Sequence, residues 1–175
     1  MKTSQAAALI RTPLIESSRP QSWCDLGCGS GTFTTALALL LASGSTIHAV
    51  DLDQGALEGI PDQYDGVAIR KILGDLRSPS VRLPSVDGIL MANSLHFIRE
   101  QHLFLRRLLS LTDRFLIVEY ERSRPSPWGP YPVSFERLCE LFREAGVERV
   151  GKLATRPSRF SGTMYSALAE QSSHE

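Results

Sequence analysis

Three glycines at alternate positions, set between an apolar strand and an apolar helix, constrain this chain more than any other feature. The stretch reads Trp23-Cys24-Asp25-Leu26-Gly27-Cys28-Gly29-Ser30-Gly31-Thr32-Phe33. Glycine allows positive φ and close approach of a ligand to the backbone, and a helix start aims its unpaired amides at whatever lies above it. A strand that turns through such a loop into a helix belongs to an α/β fold whose ligands sit beyond the carboxyl ends of the strands. The spacing is not that of a dinucleotide loop, because after Gly27 and Gly29 the third glycine would stand where Thr32 is. It is not a phosphate-binding P-loop either, since the Lys-Ser/Thr pair is missing.

The rest of the chain alternates in the same way. Strands are predicted at Ser22–Leu26, Thr46–Val50, Val67–Ile72, Val86–Ala92 and Arg114–Glu119. Helices are predicted at Thr32–Leu41, Gln54–Ile60 (stopped by Pro61), Glu100–Leu111 and Phe135–Ala145, after a lead-in helix Thr3–Ile10. Ser134 reads as an N-cap and Gly146 as a C-cap. On the helix from Glu100, Leu103, Phe104, Leu108 and Leu111 are expected to share the buried face. Phe115 to Val118 is apolar without a break, as a strand covered on both sides requires. The last two strands, Val147–Leu153 and Gly162–Ala169, have no helix between them and should pair antiparallel. The expectation is one domain over 1–175, with a lead-in over 1–20, a core over 21–170 and a loose tail over 171–175.

Two acids continue the pattern set by the glycine loop. Asp51 ends the second strand, where a carboxylate can accept both hydroxyl hydrogens of a ribose. Asp53, two residues on, reads equally as a helix cap, and Gly74-Asp75 ends the third strand at the same rim.

With these residues in order, the chain resembles the class I S-adenosylmethionine-dependent methyltransferases. Asp25 to Gly31 is similar to their first motif and His48-Ala49-Val50-Asp51-Leu52-Asp53 to their second, and the likeness runs from about Gln21 to Glu170. The resemblance implies an α/β, doubly wound, seven-stranded, mostly parallel sheet in the order 3-2-1-4-5-7-6, with strand 7 antiparallel and helices on both faces. It implies S-adenosyl-L-methionine as cofactor, with Gly27, Cys28, Gly29 and Gly31 along its amino-acid portion. Asp25 would lie by the charged amino group or organise the loop. Asp51, followed by Leu52, would take the ribose, and Asp75 with Leu76 the adenine. Asn93 and Ser94, at the end of the fourth strand, would stand next to the transferred methyl together with His96. His96 is the leading candidate for a base, with Asn93 and Glu119 as further catalytic candidates; a packing role for His96 is the other reading.

The implied reaction is methyl transfer to a small-molecule acceptor by in-line displacement. Two alternatives stay open: an enzyme acting on RNA or protein, and a catalytically silent cofactor-binding module working through a partner. Lys plus Arg and Asp plus Glu are 19 each, so no net charge favours a nucleic-acid partner. Arg99, Arg106, Arg107 and Arg114, or Arg122 and Arg124, could still form a local patch. Trp128 and Tyr131, in the loop Pro125–Pro132, either line a flat substrate or anchor the loop. The site is expected to be closed by the lead-in, by that loop or by a partner subunit, and a homodimer is left open. The three cysteines Cys24, Cys28 and Cys139 form neither a disulfide framework nor a metal pattern, and no metal is expected. Without a membrane-spanning run or leader, a cytoplasmic location is expected.

Overall fold

The computed structural model describes residues 1–15, 18–78, 81–158 and 162–171. Beyond Gln171 the expected loose tail lies outside the described residues. In chain order the elements are α1 (Thr3–Ile10), β1 (Ser22–Leu26), α2 (Thr32–Ala38), β2 (Thr46–Asp51), α3 (Gln54–Glu58), β3 (Gln63–Tyr64) and β4 (Val67–Leu73). There follow β5 (Gly88–Ala92), a 3-10 turn (Leu95–Phe97), α4 (Gln101–Leu108), β6 (Arg114–Tyr120), α5 (Phe135–Ala145), β7 (Arg149–Pro157) and β8 (Thr163–Glu170).

The sheet has eight strands rather than the expected seven, in the order β3-β4-β2-β1-β5-β6-β8-β7. The additional strand is β3, which folds back antiparallel onto β4. Its hairpin turns on Asp65-Gly66, whose φ values of 49° and 78° are the positive pair of a two-residue turn matched to strand twist. With β3 set aside, the remaining seven strands have the expected neighbours. β4, β2, β1, β5 and β6 run parallel, and β8 lies antiparallel between β6 and β7.

Side-chain alternation on the central strands builds two cores from one apolar run. Phe115 and Ile117 of β6, with Ile89 and Met91 of β5, pack beneath α4 and α5 against Phe104, Leu108, Leu138 and Phe142. Leu116, Val118 and Leu90 point the other way, to Trp23 and to the inner faces of α1 and α2. The face of α4 differs from expectation. Phe104, Leu105 and Leu108 are buried, whereas Leu103 is exposed and Leu111 lies beyond the helix.

Helix ends follow local chemistry. Ser134 Oγ accepts from the Arg137 amide at 3.2 Å, and Gly146 leaves α5 at φ 99°. α2 ends at Ala38, and the apolar residues after it continue to Leu41 as hydrogen-bonded turns onto the Leu37 carbonyl. No helix among the described residues is long and apolar enough to cross a membrane.

Candidate active site

The carboxyl ends of the parallel strands open onto a cavity of about 1140 Å³. Its floor is the loop between β1 and α2. The Gly27 and Cys28 amides donate to the Val50 carbonyl at 2.8 and 3.1 Å, and this ties the loop to the end of β2. The Asp51 carboxylate completes the tie, accepting from the Gly29 amide at 2.7 Å and from the Asp53 amide at 3.0 Å. Gly29 stands at φ 51°, and a Cβ there would project into open space, so the loop offers bare backbone to the cavity at that point. Gly31 differs: it caps α2 at φ 79°, and a Cβ would strike Ile60 at 2.8 Å. It does not line the cavity. Its need for glycine therefore comes from packing and backbone conformation.

Beneath the loop lies Asp25, with no accessible surface. Thr34 Oγ1 donates to Asp25 Oδ2 at 2.6 Å, while Oδ1 has no partner. Burial raises the carboxyl to about 7; the Thr34 hydrogen bond pulls against that rise and the Asp51 charge adds to it. A buried carboxylate oxygen without a donor is a place for a ligand's N–H or cationic group. Burial also lifts the Cys28 thiol upward, with the nearby Asp25 and Asp51 charges adding to it, so this loop cysteine is no nucleophile.

The far end of the cavity is lined by Leu52, Gly74, Asp75, Leu76 and Arg77. Leu52 is 63% exposed and so offers an uncovered apolar surface. The Asp75 carboxylate is engaged by its own neighbour: Arg77 Nη2 lies 2.7 Å from Oδ2 and Nε 2.9 Å from Oδ1, which holds the carboxyl below its ordinary range. Arg107 donates to the Leu76 carbonyl at 2.9 Å and rests on the Phe104 ring, bracing this wall. Asp53 caps α3 through the Ala56 amide at 3.1 Å.

The sequence offered the lead-in as a cover for the site but did not point to the β7–β8 hairpin that completes the opposite wall. Met1, Lys2 and Gln5 reach the cavity from the start of α1, and Arg156, Ser158 and Met164 from the β7–β8 hairpin. Ser166 Oγ of β8 donates to the Leu9 carbonyl, which seats α1 against that hairpin. Contacts so distant in sequence carry no local motif.

Asn93, Ser94, His96 and Glu119 come together because β5 and β6 are parallel neighbours in the register Ala92↔Val118. Asn93 follows β5 at φ 56°, an unusual conformation for a side-chain-bearing residue, and its buried Oδ1 has no partner. Ser94 Oγ donates to the Leu26 carbonyl at 2.6 Å, which fixes the β5 end on the β1 end. His96 Nδ1 lies 2.7 Å from Glu119 Oε2, and the His96 amide donates to Oε1 at 3.2 Å. Both side chains are almost fully buried. An ionised carboxylate only accepts, so this contact selects the Nδ1–H tautomer and leaves the lone pair on Nε2.

The His96 ring lines a second cavity of about 440 Å³, together with Glu119, Arg122, Trp128 and Pro132. Asn93, Phe97 and Tyr120 line both cavities. The loop after β6 is pinned over this space. The Tyr131 amide donates to the His96 carbonyl, Gln101 Nε2 to the Tyr131 carbonyl at 2.9 Å, and Tyr165 Oη to the Val133 carbonyl at 2.9 Å. Trp128 therefore lines the second cavity, whereas Tyr131 contributes backbone to the pinning. Among the described residues no three His, Cys, Asp or Glu side chains gather as metal ligands would.

A mostly parallel, doubly wound sheet, a glycine loop over a buried acid and a carboxylate at the next strand end together have the architecture of the class I methyltransferases. The comparisons agree. The family model described as "Methyltransferase domain" matches residues 24–114, more than half of the chain, and the chain belongs to that family. It is an S-adenosylmethionine-dependent methyltransferase, and S-adenosylmethionine is its cofactor.

One curated relative, "Probable cobalt-precorrin-6B C(15)-methyltransferase (decarboxylating)" of Pyrobaculum calidifontis, is 37% identical over 67 residues. That match covers 36% of this chain and 34% of the relative, so the chain matches about a third of the relative's length. Among solved structures, the YcgJ protein of Bacillus subtilis superposes with a TM-score of 0.73 at 13% identity, covering 97% of this chain and 99% of that one. A SAM-dependent methyltransferase from Aquifex aeolicus gives a TM-score of 0.62 at 16% identity, covering 96% and 98%. At those identities the two structures bear on the fold alone.

Proposed function

We propose that this methyltransferase acts on a small-molecule acceptor by in-line displacement, with His96 as the base and Glu119 as the group that orients it. The observation that carries the reading is the 2.7 Å His96–Glu119 contact on the wall of a cavity that shares Asn93, Phe97 and Tyr120 with the larger one. A space of about 440 Å³ suits a small ligand.

The residues of the larger cavity fit the cofactor. The partnerless Asp25 Oδ1 suits its ammonium group, and Gly27, Cys28 and Gly29 present backbone to its amino-acid portion. Gly31 contributes by starting α2 against Ile60. Asp51 has lone pairs left for ribose hydroxyls, and Leu52 and Leu76 offer apolar surface to the adenine. Asp75 would serve the adenine's amino group with the lone pairs that Arg77 leaves over. When bound, S-adenosylmethionine supplies a methyl group on a sulfonium, activated for displacement.

The rest falls to this chain's own residues. His96 Nε2 takes the acceptor's proton, Glu119 stabilises the imidazolium so formed, Asn93 stands on the wall common to both cavities, and Ser94 holds the end of β5 on the end of β1. A hydroxyl acceptor needs such a base more than an amine does, so an oxygen acceptor is favoured. The reading is of a cytoplasmic enzyme, in keeping with three free cysteines.

The test is release of S-adenosylhomocysteine with a panel of small phenols. His96→Gln should slow turnover by about 100-fold while cofactor affinity stays within about twofold. Unimpaired turnover in that variant would remove His96 as the base.

A further inference from the structure

We propose that the acceptor is a small aromatic hydroxy acid whose acidic group is bound by Arg122. This rests on the reading of the second cavity as the acceptor site and goes on to name what occupies it. Arg122 lines that cavity and uses one Nη1 donor on Ser126 Oγ at 3.2 Å. Among the described residues it has no carboxylate partner. Arg77, Arg137 and Arg149, in contrast, sit on carboxylates at 2.7, 2.9 and 3.0 Å. Glu119, the cavity's own acid, is already turned to His96. The space therefore holds an arginine fork with donors to spare and no anion to meet them, which matches a carboxylate, sulfate or phosphate on the ligand.

The remaining walls set the shape. Phe97, Tyr120, Trp128 and Pro132 are flat or apolar, and Trp128 is 84% exposed with its ring at the cavity edge. An exposed tryptophan beside a cavity is best covered by another flat ring. Glu119 and Arg122 are three residues apart on one chain segment, a span of at most about 10 Å. A cavity of about 440 Å³ lined by both His96 and Arg122 accommodates one ring carrying a hydroxyl for the first and an acid for the second. In the transfer, the oxygen–methyl bond forms as the sulfur–methyl bond breaks. The electron pair of the broken bond stays on sulfur, and the hydroxyl proton passes to His96 Nε2.

The experiment separates recognition from turnover. The full chain, saturated with S-adenosylhomocysteine, is titrated calorimetrically with protocatechuate and with its methyl ester, and both are then assayed for methylation with S-adenosylmethionine. The acid should bind at least tenfold more tightly than the ester. That preference should fall to within about twofold in Arg122→Ala and return in part in Arg122→Lys. Equal binding of acid and ester, binding of neither, or a preference that survives Arg122→Ala overturns the assignment. An Arg122-dependent preference without methylation keeps the anion site but overturns the assignment of the bound hydroxy acid as the methyl acceptor.

Discussion

Replacing Asp25 with asparagine should stabilise the ligand-free protein at about pH 8 and bring no gain at about pH 5. Asp25 is fully buried, with one oxygen held by Thr34 and the other unpartnered, and its carboxyl is raised from 3.8 to about 7. A folded-state value above the unfolded one means that the folded protein holds the proton more tightly. Stability therefore falls as pH rises from about 4 to about 7 and then levels off. The interval from 3.8 to about 7 corresponds to an ionisation cost of about 4 kcal/mol. Asparagine removes that cost but leaves an amide N–H with no acceptor on the unpartnered side, a loss of about 2 kcal/mol. The net gain at about pH 8 is then about 2 kcal/mol, or roughly 4–8 °C in Tm for a chain of this size. At about pH 5 the ionisation cost is itself only about 2 kcal/mol and the two effects cancel. Thermal melts of both proteins at the two pH values, without cofactor, give the answer. A variant less stable than the wild type at about pH 8, or a gap that does not change with pH, would refute the reasoning. Saturating S-adenosylmethionine should erase the variant's advantage, because only the wild type gains a counter-ion for its buried charge.

Other perturbations separate binding from folding. Asp51→Ala removes the acceptor of the Gly29 and Asp53 amides as well as the proposed ribose partner, and calorimetry should show cofactor affinity at least about tenfold weaker. Gly29→Ala should leave the fold intact, since its Cβ meets nothing within 4 Å, at a cost of about 1 kcal/mol for the left-handed φ. The added methyl occupies the ligand's path, so cofactor binding should fall by at least about tenfold; unchanged affinity would mean that the loop does not touch the cofactor there. Ser134→Ala removes the cap on the Arg137 amide and should lower stability by about 1 kcal/mol in urea titration, with cofactor binding unaffected.

The glycine loop, its buried acid and the strand-end carboxylates were legible because each is a local pattern: a strand, a turn needing glycine and a helix start. The partnership of His96 with Glu119 was half legible. Both residues fall at the ends of consecutive parallel strands, but only the Ala92↔Val118 register brings them to 2.7 Å. β3 went unread although its signal was present. Asp65-Gly66 is a strong hairpin dipeptide, but the strand before it is only Gln63–Tyr64, too short to carry an alternation of its own. The lead-in was expected as a cover, but its seating on the β7–β8 hairpin was beyond the sequence, because Leu9 and Ser166 meet across 157 positions with no periodicity to announce it. Leu103 was misplaced for a simpler reason. Six apolar or aromatic side chains from Leu103 to Leu111 compete for the narrow stripe of α4 and the turn after it, and the 3.6-residue repeat favours Leu105 beside Phe104 and Leu108.

The two cavities also differ in what builds them, and this sets where the protein can change. The floor of the larger one is made of strand ends and glycine backbone, and β6 beneath the site serves two cores at once, so one inserted residue there would exchange its faces and carry Glu119 away from His96. The outer wall of the smaller cavity is a stretch of loop, with Trp128 and Gly129 on a tight turn closed by Ser126. Length and side chains in that loop can vary without touching either core. In an engineered or diverging relative, the lining of the smaller cavity would be rewritten between Arg122 and Pro132, while His96, Glu119 and the glycine loop stay where the sheet puts them.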